Sequence, residues 1–225
     1  MAKILSLESS SEVCSVCVSD ENEILSLIET TEPFSHTRKM TLFIQQCLSE
    51  ANISMQELDA VAVSDGPGSY TGLRVSAATA KGICFGLQIP LITVNTLEAI
   101  ATHASSLAEG DLYIPMIDAR RMEVYTSTYN NKLEEVKETH NLILEEDSFN
   151  IYNGKKIVLC GTGVEKCKDV FKTKGYDFLP FRLSASYLLP LIQAKFRSKN
   201  FVDMISYSPN YFKAPKVTQS KKPLF

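Results

Sequence analysis

Between a short apolar run, Ala60-Val61-Ala62-Val63-Ser64, and a run of small residues, Ser76-Ala77-Ala78-Thr79-Ala80-Lys81-Gly82, stands Asp65-Gly66-Pro67-Gly68-Ser69-Tyr70-Thr71-Gly72-Leu73-Arg74. Three glycines within seven positions demand tight turning and leave backbone open to close approach. A strand, a glycine loop and a helix start together form an anion cradle, because the first N–H groups of a helix have no partner inside it. Gly66, Gly68, Ser69, Thr71, Gly72 and Arg74 are therefore candidates for a phosphate or nucleotide loop. A tight strand-to-helix turn without a ligand is the competing reading. Two familiar fingerprints are excluded. A dinucleotide loop needs glycine where Thr71 stands, and a P-loop needs a Gly-Lys-Ser/Thr spacing that is absent. Ala62-Val63-Ser64-Asp65-Gly66 approaches a nucleophile elbow, but the loop runs on too long before its helix.

The surrounding pattern is strands alternating with helices, which indicates an α/β fold with a largely parallel part. Residues 3–7, 13–18 and 24–28 read as a strand meander with Glu8 and serines at its first turn. Ser35 is the expected N-cap of a helix to about residue 51, with Met40, Phe43, Ile44, Cys47, Leu48 and Ala51 on one apolar stripe. Ser54-Met55-Gln56-Glu57 has capping-box spacing. After the glycine loop the sequence predicts a helix to about Gly86, a strand over 90–94 and a helix over 96–107. The opening then recurs: Tyr113-Ile114-Pro115-Met116-Ile117-Asp118 is a strand ending in an acid, residues 119–121 a turn, and 122–129 the returning strand. This is consistent with a duplication in which Asp118 stands where Glu8 stood. A strand over 155–160, Gly161-Thr162-Gly163 with a short helix, and an amphipathic helix over 184–199 that Pro190 kinks or delays complete the second half. The expected division is 1–108 and 109–225, the first part carrying the glycine loop and the second a basic C-terminal segment.

Composition excludes several classes. The 44% hydrophobic and 22% charged content is that of an ordinary globular protein, and the net charge of −3 gives no general pull toward nucleic acid. The charge is uneven, however: residues 195–225 carry seven Lys/Arg against one acid, Asp203. Tyr207 to Phe225, which holds three prolines and most of those basic residues, is expected to lie over the surface or trail off. No apolar run approaches a membrane span and the N-terminus lacks a signal-peptide pattern, so a cytoplasmic setting is expected. Cys14, Cys17, Cys47, Cys84, Cys160 and Cys167 show no paired zinc spacing, and Cys14 and Cys17 in a strand would face opposite sides. His36, His103 and His140 are too far apart in sequence for two to share a helix face around a metal.

Glu8 and Asp118, at the ends of matching strands, are candidates to hold a divalent ion or a water in a shared cleft. Surface turn-capping is the alternative. Arg120-Arg121 has two readings, a grip on a phosphate or carboxylate and simple solvation. The small residues of 71–86 allow close helix approach, and Met40, Phe43, Ile44 and Cys47 offer apolar partners. These faces either pack on their own sheet or bind another protein.

Ile4-Leu5-Ser6-Leu7-Glu8-Ser9-Ser10, Ser64 to Arg74, Ala80-Lys81-Gly82, and Ala119-Arg120-Arg121-Met122-Glu123-Val124-Tyr125 together resemble the bacterial TsaB family. Ser208-Pro209-Asn210-Tyr211-Phe212-Lys213-Ala214-Pro215 is similar to that family's closing Tyr-x-Arg-x-Pro segment. The resemblance spans most of the chain and is loosest over 130–183. It implies an actin-like, Hsp70-like, sugar-kinase-like fold of two similar α/β lobes. It also implies a role in making threonylcarbamoyladenosine beside the anticodon of tRNAs that read ANN codons. There a catalytic sister protein, TsaD, transfers the threonylcarbamoyl group; TsaB is its required partner, and an ATPase, TsaE, docks on the pair.

The implied interface is helices 35–51 and 71–86, with Met40, Phe43, Ile44, Cys47, Leu73, Ala77, Ala80 and Lys81 as candidate contacts and a homodimer in isolation. TsaD carries a metal-binding His-x-x-x-His after a Val-Asn. Here that place reads Val94-Asn95-Thr96-Leu97-Glu98-Ala99-Ile100, and a hydroxyl and an alkyl group cannot replace two imidazoles on a metal. The expectation is therefore a non-catalytic subunit with no metal and no cofactor of its own. Glu8 departs from the Asp more usual in the family. The rival is an independent ATP-binding phosphotransferase or ATPase of the same fold, with ATP between the lobes. An older label, metallopeptidase, is opposed by the missing histidines.

Overall fold

The computed structural model describes residues 2–21, 23–33 and 35–212. It contains two five-stranded mixed sheets. The first is built from β1 (Lys3–Glu8), β2 (Cys14–Asp20), β3 (Glu23–Thr30), β4 (Ala60–Ser64) and β5 (Leu91–Val94), in the order β3-β2-β1-β4-β5. The second uses β6 (Leu112–Asp118), β7 (Glu123–Asn130), β8 (Glu135–Ile143), β9 (Ile157–Cys160) and β10 (Asp177–Leu179), in the order β8-β7-β6-β9-β10. In each sheet the first three strands form an antiparallel meander and the last two pair parallel. The two sheets therefore share one topology, and the fold is the actin-like, two-lobed α/β type. β8 and β10 complete the second copy, and neither carries a sequence signal strong enough to be expected.

The sheets are buried by period-two alternation. In β4, Val61 and Val63 join the core under α1 (Ser35–Glu50) and α2 (Tyr70–Leu87), while Ala60 and Ala62 face the opposite side. In β6, Leu112, Ile114 and Met116 face one core and Tyr113 and Ile117 the other. Helix α3 (Thr96–Leu107) lies between the sheets. Leu97, Ile100, Ala101 and Ala104 pack on the second sheet, and Ala99 meets Ile4, Ala62 and Val94 of the first. Its N-cap is Asn95, whose Oδ1 accepts the N–H groups of Leu97 and Glu98.

A one-turn helix α4 (Cys167–Val170) covers part of the second sheet. The chain then returns to the first sheet. Pro190 delays the last helix, so a 3-10 turn over Ala185–Leu188 precedes α5 (Leu189–Arg197). Leu188 and Ile192 pack against Ile4, Ala60 and Ile92. The N–H of Val202 then donates to Leu91 O (3.1 Å), closing part of the β5 edge.

Local expectations fare unevenly. The capping box at Ser54 is present, its N–H and hydroxyl both donating to the Glu57 carboxylate at 2.9 Å. Ser35 is not the N-cap: it is the first helical residue, and its buried hydroxyl has no partner among the described residues. All six cysteines are buried and free, and Cys14 and Cys17 lie in different core clusters.

Candidate functional site

The glycine loop is filled by its own chain. A Cβ on Gly68 or Gly72 would run into the backbone oxygens of Ser10 and Ser9, respectively, in the β1–β2 turn. Ser69 N donates to Ser10 O (2.6 Å) and the Ser9 hydroxyl donates to Gly72 O (2.8 Å). Gly66, at φ +101°, has the backbone oxygen of Asn210 2.7 Å from where its Cβ would be. The Gly66–Pro67 peptide bond is cis. Each glycine thus makes room for backbone of this chain, which explains the three glycines without a phosphate. Ser69 caps α2 by accepting Gly72 N (3.3 Å), and Arg74 lies over the Tyr70 ring at 4.9 Å. Gly68, Ser69, Tyr70 and Thr71 do reach the space between the lobes, so one edge of the loop lines that cleft.

The cleft encloses about 1800 Å³. Opposite the Ser10–Glu12 turn stand Asp118, Arg120, Arg121, Met122, Thr162 and Arg182. Glu8 and Asp118 end the corresponding strands β1 and β6, but they do not share a site. Glu8 is 1% exposed and accepts the N–H (2.6 Å) and hydroxyl (2.5 Å) of Ser10; burial pushes its carboxyl above the ordinary range. Asp118 is half-exposed and held by Lys166 Nζ at 2.6 Å. The turn after it places Arg120 and Arg121 consecutively in the left-handed region, at φ +69° and +54°. Among the described residues no group of three His, Cys, Asp or Glu is arranged to hold a metal ion. Thr96 and Ile100 are fully buried, and His103 stacks on Tyr187 with ring centroids 3.6 Å apart.

The candidate interface residues face mostly inward. Met40, Ile44, Cys47, Leu73, Ala77 and Ala80 are each at most 4% exposed, because the apolar stripes of α1 and α2 cover the first sheet; Phe43 is half-buried beside them. The outward side of α2 is Thr71, Arg74, Ala78, Gly82, Phe85 and Gly86, with Phe85 68% exposed; on α1, Leu42 is 59% exposed. Among the described residues nothing lies within 4 Å of where a Cβ would stand on Gly82 or Gly86. Lys81, the remaining candidate, is engaged within the chain: its Nζ donates to Tyr207 O (2.8 Å) and Ile205 O (3.3 Å).

Those oxygens belong to a segment whose place the sequence does not reveal. Residues 203–212 run along α2 to the cleft mouth. Asn210 N donates to Asp65 O (2.9 Å), and Asn210 Nδ2 to Asp65 Oδ2 (2.6 Å). Tyr211 packs on Tyr70 and Phe212 approaches Tyr125. Residues 213–225, with four of the seven Lys/Arg of the basic segment, lie outside the described residues. No helix among the described residues is long and apolar enough to cross a membrane.

Comparison with known proteins gives consistent matches. The family described as TsaD, tRNA N6-adenosine threonylcarbamoyltransferase, matches residues 32–211. A tRNA threonylcarbamoyladenosine biosynthesis protein TsaB of Haemophilus influenzae is 29% identical, covering 98% of this chain and 97% of its own. A TsaB of Buchnera aphidicola from Schizaphis graminum is 32% identical over 73% of this chain and 80% of its own. Among solved structures, YeaZ from Pseudomonas aeruginosa superposes with a TM-score of 0.82 at 25% identity, over 94% of this chain and all of that one.

Proposed function

This chain belongs to the family described by TsaD and, within it, to the TsaB proteins, and from that premise we propose that it is the non-catalytic, activating subunit of a tRNA threonylcarbamoyl transferase complex. Its part in threonylcarbamoyladenosine biosynthesis is the premise; the role within the complex is the proposal. The chain pairs with a TsaD-like catalytic subunit, a TsaE-like ATPase joins the pair, and tRNA reading ANN codons is met through the complex in the cytoplasm. Residues 1–108 supply the partner-binding lobe. Residues 109–225 supply the second lobe together with the helix and segment that return to the first sheet.

The observation that carries this reading is the outward face of α2. Glycine inside an exposed helix destabilises by about 0.5–1 kcal/mol relative to alanine. Gly68 and Gly72 are explained by the backbone pressed on them; Gly82 and Gly86 meet nothing among the described residues. A row of Ala78, Gly82 and Gly86 beside exposed Phe85 is what close approach by a partner helix requires. In isolation the same face would pair two copies. The contacts we assign are therefore Ala78, Gly82, Phe85, Gly86 and Leu42, in place of the inward Leu73, Ala77 and Ala80. Thr96 and Ile100 support a non-catalytic role, since neither offers a strong metal ligand.

The test is reconstitution of threonylcarbamoylation with a TsaD-like subunit, a TsaE-like ATPase and tRNA, omitting each in turn. Product should require this chain. Gly82→Glu should abolish both co-elution with the TsaD-like subunit and product, whereas Ala77→Glu would damage the chain's own core and decide nothing. Full product without this chain, or co-elution retained by Gly82→Glu, overturns the reading. The interlobe cleft with its exposed arginines favours a second reading, an ATP-binding phosphotransferase or ATPase. Turnover of ATP by the purified chain alone would establish it.

A further inference from the structure

We propose that residues 203–212 are a latch that sets how far the two lobes open, fastened at Asp65 and reaching across the mouth of the cleft. The segment has contacts at three levels. At its base, Val202 N bonds to Leu91 O, and Met204 and Tyr207 pack on the core under α2. In its middle, Lys81 of α2 holds two of its carbonyls, and Asn210 grips Asp65 through both backbone and side chain. At its end, Tyr211 lies 4.8 Å from Tyr70 in the first lobe, and Phe212 lies 6.4 Å from Tyr125 in the second. Tyr70 and Tyr125 both line the cleft. The segment thus connects the partner-facing helix to both rims of the cleft. Separation of the rims must slide Phe212 off Tyr125 or pull the middle fastening.

The fastening is a half-buried carboxyl with few satisfied oxygens. Asp65 Oδ1 and the Tyr207 hydroxyl are both buried beside each other, and neither has a hydrogen-bond partner among the described residues. Around Asp65 stand Tyr207 and Asn210 from the segment and Lys195 from α5, whose Nζ donates to Thr93 O (2.8 Å). Burial outweighs these partners and pushes the Asp65 carboxyl up to about 6 from its ordinary 3.8. Release of the segment returns Asp65 to water and its ordinary range. The protonated carboxyl therefore favours the fastened form, and fastening weakens as pH rises from about 4 through about 6.

The test combines amide hydrogen exchange with a distance across the cleft. Spin labels at Glu12→Cys and Glu165→Cys read the distance, because the six native cysteines are all buried. Asn210→Ala should speed exchange of the 203–212 amides at least tenfold, leave β4 and β9 protected, and shift the label distances longer. Tyr211→Ala removes the contacts with Tyr70 and Arg74 and leaves Asn210 in place; it should widen the distances while the Asn210 amide stays protected. Corrected for intrinsic rates, wild-type protection of 203–212 should fall between pH 5 and pH 8, and Asp65→Asn should abolish that dependence. Unchanged protection in Asn210→Ala overturns the latch. So do unchanged label distances once the segment is loosened. If Asn210→Ala fails to fold, the Tyr211→Ala distances decide.

Discussion

The two lobes place equivalent turns on opposite sides of one cleft and spend them differently. After β4 comes Gly66-Pro67-Gly68; after β9 comes Gly161-Thr162-Gly163. Gly66 and Gly161 have the same φ of +101°, and each has a backbone oxygen 2.7 Å from where its Cβ would be. Beyond that point the copies part. In the first lobe the loop clamps the β1–β2 turn, buries Glu8 and feeds an 18-residue helix with an open outer face. In the second it feeds a single helical turn, and the β6–β7 turn stays exposed with Arg120 and Arg121 in the left-handed region. One topology thus yields one turn that is architecture and one that remains accessible. A shared ancestor's site cannot be carried over to both from strand position alone.

The contrast can be broken most forcefully at the glycines. Gly72→Ala forces a Cβ onto Ser9 O and should cost about 3 kcal/mol in urea unfolding. Gly163→Ala meets only Met116 and Val124 atoms at 3.0–3.2 Å and should cost about 1 kcal/mol. Equal losses would mean that the two loops are equally clamped.

The acids come next. Glu8→Ala leaves the Ser10 N–H and hydroxyl unsatisfied in a buried site and should cost about 2 kcal/mol. Asp118→Ala loses a half-exposed pair with Lys166, worth about 0.5 kcal/mol. The Glu8 carboxyl is raised in the folded state. Its contribution is therefore fully present below the ordinary carboxylate range and is lost as pH rises through its folded value. Glu8→Gln should flatten that part of the stability–pH curve, as read by urea midpoints from pH 4 to 8.

Smaller effects sharpen the comparison. Gly82→Ala should raise the isolated chain's stability by about 0.5–1 kcal/mol while weakening its association with a partner. A stabilised chain with undiminished association would remove the reason given for that glycine. Arg120→Gly relieves left-handed strain but adds backbone freedom, for a net gain of about 0.5 kcal/mol by thermal unfolding.

Much of the fold is legible because the first lobe is punctuated by glycine and strict apolar alternation. Thr96–Leu107 can be read residue for residue, since Asn95 announces its start and its apolar positions keep the helical period. β8 is not legible: it is an edge strand, Glu-Val-Lys-Glu-Thr-His-Asn-Leu-Ile, with little face to bury and hence no alternation. The site is less readable than the fold. A small residue on a helix carries no mark of which way it faces, so Ala77 and Ala78 cannot be told apart. Gly68 and Gly82 likewise look alike in sequence, yet one is crowded by backbone and the other stands in open space. The Asp65–Asn210 pair spans 145 residues and follows no local pattern.

The return of α5 to the first sheet has a consequence for synthesis on the ribosome. Ile4, Ala60 and Ile92 belong to the first half of the chain, yet Leu188 and Ile192 are among the residues that cover them. While the second half is being made, that face of the nascent first sheet stays partly uncovered. Chains halted before residue 188 should therefore be captured by chaperones or precipitate, even though every strand of their first sheet has already been translated.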